Sequence, residues 1–193
     1  MNAKSIAVCS IFVAIAVVLG RFAVPIPILP FYFWEIPIVV ALLLYGFKMG
    51  FSVAAISIFI QAIIYPKAIG IFFPIWNLIA MSTTLVAIAL IQWYITRKAT
   101  DGLQTKKQRV NRVMLYLGAT LGLRLAIMPF VNYVMYKYML PLAIGKVYTD
   151  VYLIALIPTW LIFDAILVLY TVPTSYMIAK RVSNDLKMGN TLF

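Results

Sequence analysis

Between Leu29 and Gly50 the chain reads LPFYFWEIPIVVALLLYGFKMG: prolines and aromatics, one carboxylate at Glu35, an apolar run, then a Gly-containing turn with one lysine, Lys48. The run from Ile36 to Tyr45 is about half the ~20 residues that a bilayer-crossing helix needs. A short, Pro-interrupted segment with an acid at its start suits the lining of a ligand cavity better than contact with lipid. That pattern points to a membrane protein that handles a small molecule.

Composition agrees. Hydrophobic residues make up 65% of 193 and charged residues 11%, with a mean hydropathy of +1.03. Soluble domains are roughly half apolar and a quarter charged, so the chain is an all-α integral membrane protein. Six spans are predicted, at about 4–20, 35–46, 49–65, 71–95, 111–137 and 151–178, within a single membrane domain 1–193. The first run, Ser5 to Gly20, lacks an A-x-A-like site and leads into further membrane sequence, so no signal peptide is expected.

The net charge of +11 is distributed by topology and gives no sign of nucleic acid. With the N-terminus in the cytoplasm, Lys4, Lys48, the basic loop 96–110 and the tail Lys180, Arg181 and Lys187 all fall inside. Only Arg21, Lys67 and Lys146 fall outside. This asymmetry predicts an N-in, C-in arrangement in a cell membrane, with the inner basic residues touching anionic lipid. The segments Arg21–Trp34, with Pro25, Pro27 and Pro30, and Tyr138–Asp150, with Pro141 and Gly145, read as outer loops.

Polar residues inside the spans are costly there and mark candidate functions. Arg124 and Asp164 each lie about thirteen residues into antiparallel neighbouring spans, which sets them at one depth near the midplane. A buried Arg124–Asp164 pair follows, either structural or ligand-contacting. Asn132, two turns outward from Arg124 and just past Pro129, offers a donor and an acceptor for a heterocycle or amide. Asn77 beside Trp76, and Gln61, are further ligand candidates. Trp34, Tyr133, Tyr136 and Trp160 gather toward the same outer side, as an interfacial belt or as stacking surface. On the first helix Ala3, Ala7, Ser10 and Ala14 form a small-residue stripe that lets another helix approach.

Enzyme signatures are absent: the sequence has no histidine, a single cysteine, no Walker A motif and no GxSxG. No enzyme activity, metal or cofactor is expected. A chain of this kind binds something, and any ATP must be used by another subunit.

The order of motifs resembles the substrate-binding S components of energy-coupling-factor (ECF) vitamin transporters. These motifs are the helix IAVCSIFVAIAVVLG, the Pro-rich loop, the Glu-Ile-Pro step with its run to Gly46 and Gly50, and RLAIMPFVNYVMYKYMLP. The last of these, with ALIPTWLIFDAILVLY, is similar to the riboflavin-binding subfamily. The resemblance implies a vitamin ligand, riboflavin first, a transmembrane coupling subunit and two ATPases as partners. It implies ligand contact at Glu35 (at the cavity mouth), Met128 and Asn132, joining Asn77, Arg124, Tyr133, Trp160 and Asp164. It implies docking of the coupling subunit on Ala7, Ser10 and Ala14. Trp160 and Phe163 occupy places where riboflavin binders carry Asn and Lys. A thiamine-like or folate-like ligand, or a standalone secondary transporter, therefore stays open as an alternative.

Overall fold

The computed structural model describes residues 3–24, 31–66, 70–99 and 108–186. The Pro25–Pro30 stretch, Lys67, Lys106, Lys107 and Lys187 lie outside the described residues. Six principal helices follow one another: α1 (Ala3–Leu19), α2 (Glu35–Tyr45), α3 (Phe47–Ile64), α4 (Phe72–Ala99), α5 (Gln108–Val134) and α7 (Asp150–Asp185). A π-helical turn (Met135–Met139) and a short helix α6 (Leu140–Ile144) extend α5. Before α2, strands β1 (Ala23–Val24) and β2 (Phe31–Tyr32) pair antiparallel, Ala23 opposite Tyr32 and Val24 opposite Phe31. This small ladder was not foreseen in the sequence. It marks one end of the molecule, here the ladder end; the end carrying Lys48, Arg97 and Lys180 is the basic end.

By length and composition, α3, α4, the α5–α6 rod and α7 are each long and apolar enough to cross a membrane; α1 and α2 are shorter. Their outward faces carry exposed Ile63, Phe130, Val151 and Met177. In water such faces would be unfavourable; in lipid they match the solvent.

The shortest principal helix is the most buried. From Glu35 to Leu44 every α2 residue except Ile36 is buried. An apolar run without a polar face belongs in a protein core or in lipid, and α2, too short to span a bilayer, is enclosed by protein. α2 accordingly packs against α1, α3 and α7 and supplies much of the core, with Ile38, Val39, Ala41 and Leu42 fully enclosed. Its end is set by Gly46, whose φ of +88° is a conformation that suits glycine. α3 then turns back on α2 at close range. A Cβ on Gly50 would lie 2.6 Å from Leu42 Cβ, so only glycine fits that crossing.

Two boundaries differ from expectation. α7 runs on to Asp185, past the expected end near 178. The segment Tyr138–Asp150 reads as a loop in sequence, yet helix continues to Ile144. Pro141 sits in the first turn of α6, directly after the π-helical turn. The stop comes instead at Gly145, left-handed at φ +69°, with its N–H bonded to Pro141 O at 2.9 Å. α7 then starts cleanly: Thr149 caps it by accepting from Tyr152 N–H, and Asp150 lies in its first turn.

Two glycine substitutions separate the demands of packing from those of the helix. Gly50→Ala should destabilise the protein by about 1–3 kcal/mol, because Leu42 has to move. Gly118→Ala, at a helical position with open space around it, should be neutral or stabilise by up to about 1 kcal/mol. Thermal unfolding in detergent checks both; a Gly50→Ala protein as stable as wild type would contradict the close crossing.

Candidate functional site

Four helices meet on one guanidinium. Arg124 (α5) donates from Nε to Asp164 Oδ1 (α7) at 2.8 Å and from Nη2 to Glu35 Oε1 (α2) at 3.2 Å. Nη1 donates to Glu35 Oε2 and to Thr84 Oγ1 (α4), both at 3.1 Å. Four of the five guanidinium N–H groups are thereby used, two of them in a fork on one carboxylate. Arg124, Glu35 and Asp164 are each 3% exposed. At such burial a lone charge would be prohibitive, and only a nearly complete set of partners makes the arrangement tolerable.

The expected Arg124–Asp164 pair is thus present, and it is part of a larger cluster. Glu35, expected at a cavity mouth, is instead buried against Arg124 as its bidentate partner. The physical reason lies in the helix start: Glu35 is the first residue of α2, and α2 is enclosed on every side. Thr84 went unnoticed because a threonine in an apolar span has no distinguishing sequence signal. Glu35 could have been paired with Arg124 from the scarcity of buried cations, but 89 residues separate the two.

Toward the ladder end, a second group of side chains sits above this cluster. Asn132 is two helical turns from Arg124 on the same face of α5, with Met128 between them; both are buried. Asn132 Oδ1 accepts from Trp76 Nε1 (α4) at 2.8 Å. The Tyr136 ring lies 5.4 Å from Trp76, edge-on, and 5.3 Å from Trp160 (α7). Tyr148 adds an edge contact with Tyr136 at 5.8 Å. Trp160 is 4% exposed and stands one turn from Asp164, which places the aromatic group directly over the ion cluster. The result is an aromatic assembly around one side-chain amide, carried by α4, α5, the π-helical turn, α7 and the segment between α6 and α7.

The remaining candidates fall elsewhere. Asn77 is half-buried and adjoins Trp76 in sequence, so the two point about 100° apart around α4; Trp76, not Asn77, meets Asn132. Tyr133 turns to the end of the bundle, where its hydroxyl donates to Asp150 Oδ1 at 2.8 Å beside the Lys137–Asp150 ion pair. Gln61 reaches α1, with Nε2 3.5 Å from Ala16 O. It lines a separate recess of about 140 Å³ with Arg21, Tyr32, Trp34 and Tyr65. On α1, Ala7, Ser10 and Ala14 are exposed, opposite the buried Cys9, Val13 and Ala16. The small-residue stripe therefore faces away from the bundle.

A family model described as ECF transporter, substrate-specific component, matches residues 4–182. The chain belongs to this family. It is accordingly a substrate-binding membrane subunit of an ECF transporter, a multi-pass protein that binds a small molecule and works with ECF membrane and ATPase modules. Such subunits are not enzymes. The fold is similar to a structure described as "Structure and mechanism of the S component of a bacterial ECF transporter". That similarity has a TM-score of 0.69 at 19% identity, covering 97% of this chain and 99% of the other. No curated protein matches the chain.

Arg124→Met would leave two carboxylates buried without their cation, and should cost about 3–5 kcal/mol. Thr84→Val, which removes one neutral acceptor, should cost about 1 kcal/mol. The melting temperature in detergent reads both. If Arg124→Met melts with the wild type, the cluster does not hold the bundle together.

Proposed function

We propose that this S component captures a vitamin with a flat heteroaromatic ring, riboflavin first, at the Trp76–Asn132–Tyr136–Trp160 assembly. One observation carries the reading: a buried amide framed by aromatic rings at one end of the bundle. Aromatic faces bind a planar ring by stacking, and the Asn132 amide is able to exchange Trp76 for the donor–acceptor edge of a ligand. Met128 adds a polarizable side chain beneath. Arg124, Glu35 and Asp164 act in this reading as the floor, with their hydrogen-bonding capacity directed to one another.

The ladder end faces outward and the basic end the cytoplasm of a plasma membrane. Lys48, Arg97, Lys180 and Arg181 at the basic end support that orientation. Exposure of Ala7, Ser10 and Ala14 supports docking of a transmembrane coupling subunit on α1. Two ATPase subunits on that partner supply the energy.

Titration of the purified protein with riboflavin, followed by quenching of flavin fluorescence, tests the ligand. Saturable quenching is expected, and Asn132→Ala should weaken it by about 1–3 kcal/mol. Unchanged affinity in that variant would remove Asn132 from the site. Saturation by a thiamine-like or folate-like vitamin instead would preserve the S-component reading and change the ligand. For the docking face, Ala14→Leu should abolish cellular uptake while leaving the dissociation constant intact. Uptake at the wild-type rate would reject the α1 interface.

A further inference from the structure

The hydrogen bonds between α4 and α5 set a register. Trp76 meets Asn132, and Thr84 meets Arg124; eight residues forward on α4 correspond to eight residues back on α5. The next equal step brings Gln92 level with Tyr116, about 12 Å beyond the ion cluster toward the basic end. On α5 the residues Arg112, Tyr116, Thr120, Arg124, Met128 and Asn132 recur every fourth position, and all six are buried. The inner stripe of α5 is therefore polar along most of its length.

Two levels of this seam are closed by direct bonds between side chains. The third is not. Gln92 Nε2, Tyr116 Oη and Thr120 Oγ1 are buried and have no hydrogen-bond partner among the described residues. Tyr116 is 1% exposed, Thr120 0% and Gln92 8%. Thr120 lies one turn from Tyr116 on the same face, between that level and Arg124. Buried polar groups in folded proteins are almost always paired, with protein or with ordered water. Inside a bilayer, where solvent gives no relief, the demand is stronger.

We propose that the Gln92–Tyr116–Thr120 level of the α4–α5 seam is a buried water-binding site, holding one or two water molecules. The chemistry of the three groups matches water. The Gln92 amide N–H donates to a water oxygen, and the Tyr116 and Thr120 hydroxyls accept its hydrogens or donate in turn. A water needs two to four such partners, and the helix register sets three candidates within one turn of a single level of the seam. The donor on Gln92, together with buried Arg112 one turn beyond Tyr116, disfavours a metal cation. The near-complete burial of all three side chains disfavours a larger organic ligand. The seam then has two dry levels toward the ladder end and one hydrated level toward the basic end. This assignment does not depend on the identity of the transported vitamin.

An experimental structure resolved well enough to place ordered water tests the site directly. Density for water within hydrogen-bond reach of Gln92 Nε2, Tyr116 Oη and Thr120 Oγ1 is expected. A direct Gln92–Tyr116 hydrogen bond with no water between them, or density for any other species, would overturn the proposal. Stability gives a second readout. Thr120→Val and Tyr116→Phe each remove a partner of the bound water and should lower the melting temperature by about 2–4 °C. If the three groups are simply unpaired, the same replacements relieve them, and variants melting at or above the wild-type temperature would refute the site.

Discussion

Everything else in this bundle is arranged around a buried guanidinium. Arg124 draws Glu35, Thr84 and Asp164 onto itself from three other helices, and each acid requires it in return. Hydrophobic packing alone tolerates small slides between helices, because one aliphatic contact replaces another at little cost. A desolvated ion cluster does not tolerate them, since a displaced partner leaves charge unpaired in a medium of low dielectric. The cluster thus specifies the relative depth of α2, α4, α5 and α7 in a way that leucines could not.

That constraint explains why an eleven-residue helix occupies the centre. α2 is too short to cross a bilayer independently, yet its first residue is Glu35, and the Glu35–Arg124 fork fixes where the helix begins. Tyr170 Oη, donating to Tyr32 O at 2.7 Å, and Ser175 Oγ, donating to Ile36 O at 3.2 Å, tie the same junction to α7. Gly46 and the close Gly50–Leu42 crossing then return the chain along α3. The β1–β2 ladder, the start of α2 and the aromatic assembly all lie toward one end, leaving the opposite end to basic side chains.

Much of this was legible in the sequence, for identifiable reasons. Apolar runs of characteristic length located the six helices and their starts to within about three residues, because a bilayer leaves the backbone few other options; the ends of the α5–α6 rod and of α7 lie further along than the runs suggested. Equal depth gave the Arg124–Asp164 pair, since both residues could be counted from the ends of antiparallel spans. Counting of that kind fails across three dimensions. It could not bring Glu35 to Arg124, because α2 enters the bundle at its own depth, set by packing. It could not select Trp76 over Asn77, because adjacent residues on a helix differ only in direction around the axis. Nor could it place the end of the α5–α6 rod: Pro141 and Gly145 both fall in the segment that reads as a loop, and only the left-handed Gly145 ends the helix.

The sequence motifs and the family assignment converge on a subunit that holds a small molecule, and the proposal made above sets that molecule at the aromatic assembly over the ion cluster. The most direct measurement is of what accompanies the protein. After gentle purification in detergent and denaturation, the released fraction is analysed by absorbance and mass spectrometry. A flavin in stoichiometric amount is the predicted result. A protein that releases no vitamin, and that binds none when a panel of vitamins is added, would contradict the account.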